Sequence, residues 1–370
     1  MIRVLQFGMS GNYGGIETFI MNYYRAIDRT KIQFDFAKSD RNLKIAYEDE
    51  IIALGGKIYI TPEIGIRNGY HVLRKAWMDF YKSVDIDEIH FNTVALVNIY
   101  AIRFAKEAGL HAHAHAHAHL SVYNFSWWVK CRMRINKKIV HKYADTLLAC
   151  SKEAGRWMFG GGYKVLPNSI DCDRFSFAQK VREQVRREYG LKEAFVMLNI
   201  GKLSIVKNQM FLLSVLREVK KKRKDVKLML VGLDVLNGAI QRKAKEMRLE
   251  EDIIFTGMVQ HPEVFYSAAD IFLFPSLSEG FGIAPVEAQA NGLCGIVSDR
   301  LVDAVNPSGT LRYLPIADIN EKKAAELWAD EIIRNSERLN EKEVKAVRSA
   351  YDINVTVKEL EDIYTRYVRV

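Results

Sequence analysis

The sequence predicts an α/β protein built from two doubly wound, parallel-sheet domains, and three observations carry that expectation. The chain has 370 residues, long for a single hydrophobic core, and chains of this size tend to divide. Short apolar runs alternate with amphipathic stretches throughout, the rhythm of parallel strands joined by crossover helices. At the start, an apolar run over residues 4–7 passes into Gly8, Gly11, Gly14 and Gly15 and then into an amphipathic stretch over 16–27. A strand, a glycine-rich turn and a helix in that order let a backbone approach a ligand's phosphates.

Strand patterns follow at 32–36, 57–60, 88–91 and 146–149, separated by helix patterns at 43–54, 70–83, 95–108 and 152–158. Ligands of such sheets bind beyond the strands' carboxyl ends. Asp35, read as closing the second strand, falls about twenty residues after the glycine turn. It keeps a dinucleotide-binding alternative open, although the turn lacks the G-x-G-x-x-G spacing.

The segment HAHAHAHAHL, which includes His111, His113, His115, His117 and His119, alternates with period two. On a strand that pattern puts imidazoles on one face and alanines on the other. Two readings stand: a stripe that binds metal adventitiously, or a low-complexity replacement of an ordinary strand. The next stretch, 121–143, combines Tyr123, Phe125, Trp127 and Trp128 with Lys130, Arg132, Arg134, Lys137, Lys138 and Lys142. It suits an anionic bilayer surface, or else a solvated charged face with tryptophans turned to the core.

The second half repeats the pattern: a helix at 181–189, a strand at 195–200 and then GKLSIVKN. Lys202 is expected just after that strand. Lys207 is expected at the start of a helix whose core face carries Phe211, Leu212, Val215, Leu216 and Val219. Two ammonium groups beside a helix N-terminus form a diphosphate clamp. Strands at 227–231 and 253–255 lead to the turn Gly257-Met258-Val259, and helices at 321–335 and 356–367 close the chain.

The most informative stretch is ADIFLFPSLSEGFGIAPVEAQANGLCGIVSD, residues 269–299. A buried-strand run over 271–274 precedes Glu279 and the segment Gly280-Phe281-Gly282-Ile283. Pro285 suits a first helical turn, placing Glu287 in that turn, and the helix should stop at Asn291-Gly292. Two carboxylates then flank the free N–H groups of a helix N-terminus. Such a site suits a ligand with both hydroxyls and phosphates.

Composition narrows the class. Apolar residues make up 49% of the chain, enough for two cores, and the net charge of +9 suits phosphate-rich partners or an anionic surface. The four cysteines are scattered without a C-x-x-C pair, as expected of a reduced, cytoplasmic protein. The opening apolar run is too short for a signal peptide, and no run approaches the ~18 residues of a membrane span. No motif of a nucleic-acid-binding fold is present, so nucleic acid is not expected as a partner.

The Glu-x7-Glu pattern in SEGFGIAPVEAQANG resembles the donor-site motif of family-4 glycosyltransferases. GNYGGIETF, LACSKEAGRWMFG, VLPNSIDCDRF and NIGKLSIVKNQMFLL add ordered matches over nearly the whole chain. The resemblance implies the GT-B fold, with two Rossmann-like domains facing a central cleft. It places the N-terminal, acceptor-side domain over 1–172, the nucleotide-sugar domain over 173–352, and a last helix over 353–370 that returns to the first domain.

The same resemblance implies hexosyl transfer with retention, from a UDP- or GDP-linked sugar to a saccharide or lipid-linked acceptor, as in bacterial exopolysaccharide and capsule assembly. It implies no metal and no further cofactor; a cytoplasmic location is expected, and the aromatic-basic stretch over 121–143 adds peripheral contact with the inner face of the membrane. Glu279, His117, Lys202 and Lys207 are its catalytic candidates. The donor would lie against Gly14, Gly15, Lys202, Lys207, Met258, Glu279, Gly280, Phe281, Gly282, Ile283 and Glu287. The chain departs from the family pattern at Lys202, where Arg is usual, at Ser169, where Gly is usual, and at Leu120, where the His-x-His-Asn signature has Asn. The alternatives are a nucleotide-sugar epimerase on the same fold, a nicotinamide-dependent oxidoreductase using Asp35, and a non-catalytic nucleotide-sugar sensor.

Overall fold

In a computed structural model that describes residues 1–62, 68–118, 126–316, 319–335 and 337–367, the chain forms two units. One comprises Met1–Ser169 with Ile353–Val370, the other Ile170–Asp352. The first unit holds a seven-stranded sheet of β1 (Ile2–Phe7), β2 (Ile32–Lys38), β3 (Ile58–Ile60), β4 (Glu88–Thr93), β5 (His111–Ala116), β6 (Thr146–Ala149) and β7 (Lys164–Val165). Its order is β3-β2-β1-β4-β5-β6-β7, and every pairing is parallel. Ahead of residue 170 its helices among the described residues are α1 (Gly15–Ala26), α2 (Glu48–Ala53), α3 (Tyr70–Ser83), α4 (Tyr100–Glu107), α5 (Trp127–Tyr143) and α6 (Lys152–Met158).

The second unit carries β8 (Phe195–Ile200), β9 (Val226–Val231), β10 (Ile253–Gly257), β11 (Ile271–Phe274), β12 (Gly295–Ser298) and β13 (Arg312–Leu314). These too are parallel, in the order β10-β9-β8-β11-β12-β13. Its helices are α7 (Gln179–Glu188), α8 (Phe211–Lys222), α9 (Ala239–Glu246), α10 (Glu263–Ala268), α11 (Ile283–Ala290), α12 (Glu321–Arg334) and α13 (Glu341–Tyr351). The unit opens where Ile170 bridges to Asp352, ahead of Asp173. The last helix, α14 (Ile353–Thr365), belongs to the first unit.

Each core follows from the apolar spacing. On α8, Leu212, Val215, Leu216 and Val219 are fully buried with Met197 and Leu228 of the sheet and with Trp328 of α12. Phe211 meets the Trp328 ring edge-on at 5.4 Å. In the first unit Phe19 and Tyr23 of α1 share a core with Val4, Phe34 and Phe36 of the sheet and with Leu360 and Tyr364 of α14. Burying such side chains stabilises the fold by about 1.5–3 kcal/mol each.

Three expectations are corrected. The helix expected over 43–54 is only α2, because Tyr47 adopts a left-handed φ of 61° immediately before it. The helix expected over 95–108 starts at Tyr100, because Thr93 Oγ1 takes the Ala95 N–H and Asn98 Oδ1 takes the Tyr100 N–H, forming turns instead. Asp35 lies inside β2 and not at its end. It is fully buried, ion-paired to Arg3 at 2.6 Å and accepts the Lys57 N–H at 2.8 Å. Its oxygens are spent on the fold, which removes the acidic group an oxidoreductase reading required.

Strand order reverses between β1 and β4 in one sheet and between β8 and β11 in the other. In open parallel sheets, the loops leaving the carboxyl ends of such a strand pair diverge and leave a crevice.

Candidate active site

In the second unit, the loops after β8 and β11 are tied together where the order reverses. The Leu277 N–H donates to Val206 O at 2.8 Å. Lys207 Nζ donates to Glu279 Oε1 at 2.5 Å, and Ser276 Oγ donates to the same oxygen at 2.6 Å. The Lys207 ammonium also lies 4.8 Å from the centroid of the Phe274 ring, so an aromatic face and a carboxylate fix the cation together. Glu279 Oε2 has no protein hydrogen bond among the described residues.

Lys207 does not start a helix. Asn208 takes a left-handed φ of 55°, and Gln209 reaches back to Lys202 O and the Ser204 N–H, so α8 begins only at Phe211. Lys202 and Lys207, expected to form a clamp, therefore sit on one side-chain-braced loop after β8.

Beyond Glu279, Gly280, Phe281 and Gly282 lead into α11. Gly282 has φ of 88°, a backbone suited to glycine, and caps α11 without any side-chain hydrogen bond. The N–H groups at Ile283 and Ala284 thus begin a helix with no side-chain cap, which suits an anionic oxygen. Phe281 is buried and packs on Tyr351 with ring centroids 5.3 Å apart. It supports this loop from below.

Because α11 begins at Ile283, ahead of Pro285, Glu287 falls past the first turn expected for it. Its Oε2 accepts a hydrogen bond from Tyr266 OH at 2.6 Å, with Tyr266 on α10. Burial pushes the Glu287 carboxyl up to about 7, against smaller opposing effects of the Tyr266 hydrogen bond and the Arg174 charge. Oε1 has no protein hydrogen bond among the described residues. Met258 follows β10 and is 56% exposed, at the same end of the sheet.

The first unit brings Gly14, Gly15 and His117 to the carboxyl end of its own sheet. Gly14 caps α1 without a side-chain hydrogen bond, and Gly15 is the helix's first residue. The loop before them is braced by Glu17, whose Oε1 accepts from both the N–H and the Oγ of Ser10. Phe19, one turn into α1, lies 4.8 Å from His117 between ring centroids.

The histidine strand is not a surface stripe. His113 and His115 are fully buried, as are the alanines between them. His113 Nε2 pairs with Glu88 at 2.8 Å, His115 Nδ1 with His90 at 3.2 Å, and His117 Nε2 with Asn92 at 2.9 Å. Burial holds His90 and His115 well below the ordinary imidazole range and His117 at about 3. Among the described residues no three metal-ligating side chains converge. His119 and Leu120 of the signature, like Tyr123 and Phe125 of the aromatic run, lie outside the described residues.

Several members of this arrangement escaped the sequence reading. Ser276 and Phe274 lie inside the central motif but carry no spacing signal, whereas Tyr266, Asn92 and Glu17 meet their partners only through tertiary contacts.

Residues 181–303 match the family model described as Glycosyl transferases group 1. EpsF of Bacillus subtilis, described as a glycosyltransferase, is 29% identical over 340 residues, covering 90% of this chain and 87% of that protein. CapH of Staphylococcus aureus, a capsular polysaccharide biosynthesis glycosyltransferase, is 23% identical over 98% of this chain and 99% of its own length. Among solved structures, HepE of Anabaena in complex with UDP superposes with a TM-score of 0.79 at 17% identity, covering 99% of this chain and all of that one. With two parallel-sheet units, a braced cation and carboxylate at the β8/β11 reversal, and these likenesses, the chain has the GT-B fold and carries a glycosyltransferase group 1 domain over residues 181–303.

Proposed function

We propose that this chain is a retaining, family-4 hexosyltransferase that moves a sugar from a UDP- or GDP-linked donor to a saccharide or lipid-linked saccharide during surface polysaccharide assembly. The observation that carries the reading is the Lys207–Glu279 pair beside the uncapped N-terminus of α11. A cation and helix N–H groups suit the departing diphosphate, and a carboxylate with a bare oxygen suits sugar hydroxyls. Glu287, whose Oε1 has no hydrogen bond among the described residues, suits the ribose diol. The name of CapH supports a place in capsular polysaccharide synthesis, and HepE's complex with UDP supports a nucleotide-linked donor.

The helix termini and lysines supply positive charge for the leaving group, so transfer is proposed to need no metal. No described helix is long and apolar enough to cross a membrane. Peripheral contact at the cytoplasmic face is proposed through α5, where Trp127 and Trp128 are 64% and 75% exposed beside Lys130, Arg132 and Arg134. The deciding experiment is a thermal-shift screen of nucleotides and nucleotide-sugars, followed by transfer assays with the stabilising donor, with and without chelator. Stabilisation by one nucleoside diphosphate and its sugars, and acceptor-dependent transfer, are expected. Free sugar released without acceptor would point to an epimerase instead.

A further inference from the structure

We infer that Asn92 sets the tautomer of His117, leaving His117 Nδ1 as a hydrogen-bond acceptor for a hydroxyl of the substrate. The identity of that hydroxyl as a sugar's rests on the transfer reading above, whereas the tautomer follows from hydrogen bonding alone.

Asn92 lies near the end of β4, beside β1, where the first sheet's order reverses. Its amide nitrogen donates to Phe7 O at 3.0 Å and to Gln6 Oε1 at 3.1 Å. A backbone carbonyl can only accept, so Phe7 O identifies the NH₂ end of the amide. Gln6 is oriented in turn by donating its own amide to Tyr364 OH at 3.2 Å. Asn92 therefore turns Oδ1 to His117 Nε2, 2.9 Å away. An acceptor at that position requires the imidazole proton on Nε2, and a neutral ring has only one. Nδ1 is left with a lone pair.

Burial keeps the ring neutral, with a pKa near 3. Rings on α1 and β5 hold its plane, since Phe19 and His115 lie at centroid distances of 4.8 and 4.2 Å. Nδ1 is buried without a hydrogen-bond partner among the described residues, an uncommon state for a polar atom. Other histidines of β5 also leave one nitrogen bare, but they lie inside the strand or at its amino end. Among the described histidines of this run, His117 alone has passed the last residue of β5, where its N–H meets Thr93 O at 2.9 Å, and it is 8% exposed while His113 and His115 are at 0%. It stands at the carboxyl end of the sheet, where ligands of parallel sheets bind. A substrate hydroxyl donating to Nδ1 would supply the missing partner. Asn92 acts through His117 and is a positioning residue.

The test is ring-nitrogen NMR of the full chain labelled with ¹⁵N-histidine, with the His117 signals identified by their loss in His117→Ala. The expected result is the neutral tautomer with the proton on Nε2, mixed tautomers in Asn92→Leu, and about a tenfold fall in kcat for that variant. His117→Asn, whose amide reaches the place of Nδ1, should keep more turnover than His117→Gln, whose amide reaches Nε2. Nδ1 protonated in the wild-type chain, which needs no variant to fold, would overturn the inference. So would an unchanged tautomer in folded Asn92→Leu, or equal losses in His117→Asn and His117→Gln. Failure of the transfer reading shows separately, as a wild-type chain that turns over no nucleotide-sugar while the tautomer remains as assigned.

Discussion

The Lys207 ammonium and the Glu279 carboxylate share a 2.5 Å contact across two loops that leave adjacent strands of one sheet. Ser276 shares the same carboxylate oxygen, so Glu279 keeps a hydrogen bond if Lys207 turns toward a ligand's phosphate. On the function proposed above, the pair holds the place of a ligand carrying negative charge at one end and hydroxyl donors at the other.

Lys207→Ala should reduce kcat/KM for the donor by roughly ten- to over a hundredfold, from loss of a charge-assisted contact worth about 1.5–3 kcal/mol. Lys202→Arg should be tolerated, because it keeps the charge and adds bidentate geometry. Steady-state kinetics on both variants provide the check, and near-normal transfer by Lys207→Ala would sink the clamp.

The two carboxylates should separate in calorimetric titrations. Glu287→Ala is expected to weaken free nucleotide and nucleotide-sugar alike, and Glu279→Ala to leave free nucleotide binding nearly intact while impairing transfer. Each effect should be about 1.5–3 kcal/mol. Equal losses for both ligands in both variants would contradict separate ribose and sugar roles.

The pH dependence of Glu287 has a definite sign. Its folded carboxyl, at about 7, holds a proton more tightly than the ordinary group at 4.5. Between those values the native state binds more protons than the unfolded state, so the stability this group contributes is whole below about 4.5 and is lost as pH rises through about 7. Wild type should therefore lose Tm relative to Glu287→Gln between pH 5 and pH 8, measured by calorimetry at matched ionic strength. Nucleotide binding near pH 6 should release a proton, because ribose hydroxyls favour the ionised form, and buffers of different ionisation enthalpy will report it.

His111→Ala should be silent, but His113→Ala should cost about 1–3 kcal/mol of stability by leaving the buried Glu88 carboxylate without its partner. Denaturant unfolding measures this, and turnover per folded molecule should be unchanged. Equal stability of the two variants would show that the His113–Glu88 bond contributes nothing.

Liposome sedimentation addresses α5. Binding should favour anionic over neutral lipid at low salt, at about 1 kcal/mol per basic residue near the surface, and should fall in Trp127→Ala/Trp128→Ala. Indifference to lipid charge would count against docking.

The sequence by itself determined the α/β class, the parallel rhythm, the group of residues at the carboxyl ends of strands and the location of the central motif. Strand and helix periods and glycine turns are local properties, readable along the chain without knowing what packs against what. Lys207 and Glu279 were both legible as motif residues, though not as partners. Only tertiary structure decided that Asp35 belongs to Arg3, that Tyr266 holds Glu287 and that Asn92 orients His117, since each pairing joins residues distant in sequence. The same holds for the histidine strand. Period two told which side chains share a face, but burial of that face beneath Phe19 and Tyr364 depends on where α1 and α14 pack, which periodicity does not encode. Burial and partner geometry then decide protonation, because the cost of an imidazolium or a carboxylate is set by the surrounding atoms and not by its neighbours along the chain.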